Sequence, residues 1–235
     1  MIPIGDDPGP RRLFPFVTLT LILVNIGIFV YELSLGDRGI ERLFRSAGVV
    51  PLEFARHQDI PPPAPLDNYY TTLLTSMFLH GGFLHIAGNM LFLWIYGDNV
   101  EDRLGHARFL LFYLLCGLAA SATHIFFNWG SQTPSIGASG AIAGVLAGYL
   151  VLFPTASIRT LLFLGPFITM ARVPAVILIG FWFVTQLFSG VASLGPSEQT
   201  TGVAFWAHVG GFIAGLPLLF LLRPPQRSYG YAFRS

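Results

Sequence analysis

Three short runs carry side chains that could act together. His85 and Asn89 are four residues apart, so on a helix they share one face. Ser139 stands in Gly137-Ala138-Ser139-Gly140, and His208 in Ala207-His208-Val209-Gly210-Gly211. A serine hydroxyl is a weak nucleophile until a base takes its proton. A neutral histidine does this near pH 7 and can return the proton to a leaving amine. The oxyanion formed by attack on a carbonyl then needs donors. Asn89 offers a side-chain NH₂ and His85 a ring N–H. A helix opening at Ser139 offers the free N–H groups of its first turn and the positive end of its dipole. Gly137 is placed with this oxyanion-stabilising group. No Asp or Glu falls in the apolar segments holding these residues, so a Ser-His pair is expected rather than a triad. The lipase pattern G-x-S-x-G is not met, because position 141 is Ala.

The chain around these residues is unlike a soluble protein. It has 235 residues, 53% hydrophobic and 11% charged, against about 25% charged in an ordinary soluble domain. Mean hydropathy is +0.64. Too few polar side chains remain to cover a water-facing surface, which argues against a soluble enzyme or a disordered scaffold. The formal net charge is +1, so nothing points to nucleic acid. The 13 basic residues are all Arg, a usage with no functional reading. A lone Cys116 excludes a disulfide framework and a cysteine zinc site. With no metal cluster or nucleotide loop in view, no metal and no cofactor are expected. The expected partners are a lipid bilayer and transmembrane protein substrates. The fold class is all-α, a polytopic membrane protein built as a six-transmembrane-helix bundle.

Six apolar segments are predicted to cross, each needing about 20 residues: Phe14–Leu33, Phe83–Tyr96, Ala107–Asn128, Ser139–Phe153, Val173–Ala192 and Val203–Leu222. Thr160–Ala171, broken by Gly165 and Pro166, reads as an interfacial loop. The first apolar run is too long for a cleavable signal sequence and lacks a clean cleavage site. Residues 1–13 are then a cytoplasmic segment, 14–222 the membrane domain with an outer loop 34–70, and 223–235 a cytoplasmic tail. The orientation rests on arginine. Arg11, Arg12, Arg103, Arg108, Arg159, Arg172, Arg223, Arg227 and Arg234 lie on one side, and Arg38, Arg42, Arg45 and Arg56 on the other. Both termini are therefore expected in the cytoplasm, in the cell inner (plasma) membrane. Within the outer loop, Ile40–Phe54 could form an amphipathic interfacial helix. Pro61–Pro65 should be extended or turn-like.

Polar groups inside membrane segments are costly and point to function. Spans two, four and six all start at the outer side in this topology. His208 lies five residues past Val203, about 7–8 Å along a helix. Span four is short, so Ser139 starts below the outer boundary. Ser139, His208, His85 and Asn89 can then share one layer that opens to the outer side. Gly140, Gly144 and Gly148 form a small-residue stripe on span four, and Gly211 and Gly215 one on span six. Such stripes let backbones approach closely, which would bring Ser139 to His208.

At these residues the sequence resembles the rhomboid family of intramembrane serine proteases. The matching runs are Thr75-Ser76-Met77-Phe78-Leu79-His80-Gly81-Gly82-Phe83-Leu84-His85, Asn89-Met90-Leu91-Phe92 and Gly97-Asp98-Asn99-Val100-Glu101-Asp102-Arg103-Leu104-Gly105. G-x-S-G at Gly137–Gly140 and A-H-x-x-G at Ala207–Gly211 complete them. The resemblance covers about residues 14–222 and implies a prokaryotic six-helix member. It implies Ser139 as nucleophile, His208 as its partner, and His85 with Asn89 at the oxyanion. It also implies cleavage of membrane-anchored proteins near a transmembrane boundary. Family members often carry an aromatic residue four positions after the serine, packed on the catalytic imidazole; here that position is Ala143. Support for the His208 ring must come from elsewhere. The resemblance further suggests span five, with Trp182 and Phe183, and the loop Ser193–Gly202 as a gate.

Each residue also has a plainer reading. Ser139 alone could be a helix N-cap, and His208 alone a packing histidine. His80 could touch substrate or head groups, or merely sit at the interface. His124 reads as interfacial. Glu101 and Arg103 read as a pair bracing a loop, and Trp182 and Phe183 as packing or lipid-facing. Two other functions compete with proteolysis. A silent binder of transmembrane helices would need neither Ser139 nor His208. A transporter usually shows internal repeats with matching broken helices, and no convincing repeat is present. A crowded site of small residues would favour Gly, Ala or Ser at the cleaved position.

Overall fold

The computed structural model describes residues 1–7, 9, 11–165, 167–194 and 204–224. Helix α1 spans Phe16–Leu33, α7 His106–Phe127, α9 Ala175–Ala192 and α10 Phe205–Leu222. These four are long and apolar enough to cross a membrane. Phe83–Leu104, bent by 80° from the short turns of Tyr69–Phe78, reaches the apolar length of a span only together with those turns. It consists of α5 (Phe83–Phe92), a π-helical turn (Leu93–Gly97) and α6 (Asp98–Leu104). Helix α8, Ser139–Leu152, has 14 residues, about 21 Å, and is too short to cross a full bilayer upright. The six expected segments are thus all helical: four meet the length and apolarity of a span by themselves, and a fifth does so as part of the bent pair. The short one lies innermost, with Gly140 to Tyr149 buried without interruption.

The second segment runs on past the expected Tyr96 to Leu104, so Glu101 and Arg103 are helical rather than in a loop. They do not pair with each other. The fully buried Glu101 carboxylate accepts the N–H groups of Val17 and Thr18 at 2.8 Å, and the Thr18 hydroxyl at 2.7 Å. It therefore satisfies the first-turn donors of α1 from another helix. Arg103 lies over the Phe153 ring at 4.9 Å.

Two further expectations are corrected. Thr160–Ala171 is a β-hairpin, not a loop: β2 (Ser157–Leu164) pairs antiparallel with β3 (Phe167–Pro174). Residues 173 and 174, expected to open span five, close β3 instead. The N-terminal segment supplies β1 (Ile2–Asp7), antiparallel to β2. Asp6 ties this strand to the bundle through the Tyr149 hydroxyl at 2.6 Å and Asn99 Nδ2 at 2.9 Å. The expected helix over Ile40–Phe54 is split into α2 (Gly36–Ala47) and α3 (Pro51–Arg56). Between them Val49 and Ser135 exchange backbone hydrogen bonds of 3.0 and 2.8 Å. That bridge fastens the first loop to the segment leading into α8. The short helix α4, Thr72–Thr75, leads from this loop toward α5.

Helix α10 packs chiefly against α7 and α8. The glycine stripes face each other as the small-residue pattern requires. A Cβ on Gly215 would sit 2.7 Å from the Gly144 carbonyl oxygen, and one on Gly211 would run into the carbonyl of Gly140. No larger residue permits this separation, and it sets the distance between the first turns of α8 and α10.

Candidate active site

Ser139 is the first residue of α8 and His208 lies in the first turns of α10. With the two backbones in contact, Ser139 Oγ is 2.7 Å from His208 Nε2. The N-cap of α8 is Ala138 rather than Ser139, and the Ser139 hydroxyl is hydrogen-bonded to the imidazole. In α8 the Ile142 N–H reaches the Ala138 carbonyl at 3.0 Å. The amides of residues 139–141 precede that bond and lie outside the helical ladder.

His85 and Asn89 are on one face of α5, as their spacing predicts. Gly81 N–H donates to His85 Nδ1 at 3.3 Å. That bond leaves the ring proton on Nε2. Nε2 lies 2.7 Å from where a Cβ on Gly137 would stand, and that point is 3.6 Å from Ser139 Oγ. Gly137 has φ +125°, a conformation few other residues adopt. Its missing side chain thus leaves a space between a ring donor and the hydroxyl. The Gly137 N–H itself is used, donating to the Ser76 carbonyl at 2.8 Å. What Gly137 offers beside Ser139 is backbone shape and empty volume, with its own N–H already occupied. Asn89 is buried, and its Nδ2 has no partner among the described residues. A buried NH₂ without an acceptor costs free energy, as a donor held ready for one does. A cavity of about 20 Å³, room for about one water, adjoins Ser139 and is lined in part by Ser76, Ser121 and Ser135.

His80 stands behind this group. It is 1% exposed, with its ring 5.1 Å from that of His85. Its backbone N–H donates to the Glu32 carboxylate at 3.1 Å, and neither ring nitrogen has a partner among the described residues. This placement buries the ring in the interior of the described residues. His124 Nδ1 is 3.3 Å from Asn128 Nδ2.

The support that Ala143 does not give to His208 comes from α9. The Trp182 ring lies 5.7 Å from the imidazole, tilted by 37°. Phe183 stacks on Phe212 of α10 at 4.3 Å. Both aromatics face inward onto span six. Gln186, one turn after Trp182, places Oε1 2.7 Å from His208 Nδ1. Sequence reasoning missed Gln186. A signal was present: an amide inside an otherwise apolar span is costly and asks for a reason. Of the expected gate, residues 195–202 lie outside the described residues.

The sequence profile of the Rhomboid domain matches residues 67–225, which hold Ser139, His208, His85, Asn89, Gly137 and Gln186. The chain belongs to the rhomboid family. Its fold is the polytopic helical membrane fold of that family, here with a three-stranded sheet at one end. Rhomboid protease GluP of Bacillus subtilis is 38% identical over 146 residues, 62% of this chain and 25% of that protein. RHOMBOID-like protein 5 of Arabidopsis thaliana is 31% identical over 161 residues, 68% of this chain and 46% of that protein. Rhomboid protein 1, mitochondrial, of Saccharomyces cerevisiae is 31% identical over 149 residues, 62% of this chain and 40% of that protein. This rhomboid spans a quarter to a half of the length of these relatives.

Proposed function

We propose that this rhomboid is an intramembrane serine protease that cuts membrane-anchored proteins in or near their transmembrane segments. The observation that carries the reading is the 2.7 Å contact between Ser139 Oγ and His208 Nε2, beside the buried Asn89 Nδ2 that has no acceptor among the described residues. His208 Nε2 takes the hydroxyl proton as Oγ attacks the carbonyl carbon of the scissile bond. The carbonyl oxygen becomes an oxyanion in the space left by Gly137. It accepts from His85 Nε2–H, Asn89 Nδ2–H and the amides opening α8. Collapse of this intermediate breaks the C–N bond, and His208 delivers its proton to the leaving amine. An acyl ester on Ser139 remains. Water, deprotonated by His208, attacks that ester; collapse expels Ser139 Oγ, which regains its proton from His208. The serine-lined cavity beside Ser139 has room to hold such a water.

The arginine distribution supports a multi-pass protein of the cell inner membrane, with both termini cytoplasmic and the site opening to the outer side. Crowding by Gly137, Gly140 and Ala207 supports Gly, Ala or Ser at the cleaved position. The test is cleavage in vesicles of single-span proteins differing only at one juxtamembrane position, with product masses measured. Cuts after small residues that vanish with Ser139→Ala support the reading. Retention of cleavage by Ser139→Ala, or preference for bulky residues, would contradict it.

A further inference from the structure

A Ser-His pair needs the imidazole in one particular state. A neutral ring carries one proton. If that proton is on Nε2, the ring donates to Ser139 Oγ and cannot act as its base. If it is on Nδ1, Nε2 presents a lone pair to the hydroxyl. Something must select between these, and no carboxylate contacts His208 among the described residues. The group on Nδ1 is the side-chain amide of Gln186, with Oε1 at 2.7 Å. A carbonyl oxygen only accepts, so it requires Nδ1–H and leaves Nε2 free. The opposite amide orientation would put NH₂ against Nδ1 and force the unreactive tautomer. When Nε2 gains the serine proton, the same bond becomes charge-assisted and strengthens. An amide does this without a second buried ion, which would be expensive in a bilayer.

Gln186 does not act on a loose ring. Trp182 is four residues earlier on α9, with its ring tilted 5.7 Å from the same imidazole, at the spacing that puts both on one helix face. The imidazole is thus gripped by α9 through an amide and an indole, while Ser139 comes from α8. Of the residues of α9, 22% are buried, against 50% for α10. The orienting groups therefore ride on the less embedded helix.

Resting on the reading of Ser139 and His208 as a catalytic pair, we propose that Gln186 is a positioning residue that holds His208 as the Nδ1–H tautomer. Serine activation then depends on the seating of α9. Two readouts test this in wild type, Gln186→Met and Gln186→Glu. The first is the rate of Ser139 labelling by a fluorophosphonate in detergent, which needs no substrate. The second is the ring tautomer of His208 from long-range proton–nitrogen spectra of histidine-labelled protein, assigned with His208→Ala. Gln186→Met keeps the bulk and removes the oxygen, whereas Gln186→Glu keeps the acceptor. Met is expected to slow labelling by about 10- to 100-fold and to lose the Nδ1–H signature with an unchanged thermal midpoint. Glu is expected to label within about threefold of wild type. Equal rates for Met and wild type, an Nε2–H ring in wild type, or a Glu variant as slow as Met would each overturn the role of Gln186 alone. Failure of folded wild type to label would overturn the pair itself, and this role with it.

Discussion

At the scale of single residues, the site depends on what is absent as much as on what is present. Gly137 leaves the space into which His85 Nε2 points. Gly137→Ala should fill it and lower the labelling rate by at least about 100-fold, measured alongside thermal unfolding to separate this from backbone strain. Asn89→Ala would remove the proposed oxyanion donor and should cost about 100-fold in kcat, with KM for a vesicle substrate little changed. Glu53, in the first loop, makes a prediction of another kind. Burial, with the Asp59 carboxylate adding to it, pushes Glu53 from 4.5 up to about 7. Between those values the folded protein holds a proton that the unfolded chain has released. Stability from this residue therefore falls as pH rises through that window. Glu53→Gln should raise the thermal midpoint near pH 8 by a few degrees, about 1 kcal/mol, and change little near pH 4.5. Ser139, His208, His85 and Asn89 were legible in sequence because polar groups stand out in apolar runs. Gln186 has the same signature, but its partner lies 22 positions away, and only packing reveals the pairing.

At the scale of elements, helix spacing sets the chemistry. Gly211 has no room for a Cβ against the Gly140 carbonyl. Gly211→Ala should push α10 off α8, lengthen the 2.7 Å contact of Ser139 and His208, and reduce labelling by about 100-fold or more. Glu101→Gln removes the charge that satisfies the first turn of α1. It should destabilise by about 2–3 kcal/mol in chemical unfolding while leaving the labelling rate of the folded fraction near wild type. The helices were legible because each must carry its apolar run alone. The sheet was not. β1 is six residues long and pairs with a strand some 150 positions away, with Ile2 opposite Leu161. In the hairpin, Leu161, Leu162, Phe163 and Leu164 run consecutively, with no alternation to mark a strand.

At the scale of the molecule, function turns on which end of the bundle faces which compartment. The sheet and the Asp6 tether lie at one end, and Ser139, His208 and the first loop lie toward the other. Cys116 is buried in α7, so Cys116→Ala gives a clean background for single cysteines. Gln58→Cys should react in intact cells with a membrane-impermeant maleimide, whereas Ser235→Cys should react only after permeabilisation. The reverse pattern would invert the orientation drawn from arginine. The whole-molecule claim that matters most is that a helix stripe of glycines brings a serine and a histidine 69 positions apart into one reactive unit. Its most direct test is intact-mass analysis after fluorophosphonate treatment of wild type, Ser139→Ala and His208→Ala in detergent. One adduct on wild type and none on either variant is the predicted result. An unlabelled but folded wild type, or an adduct that survives in Ser139→Ala, would contradict the account.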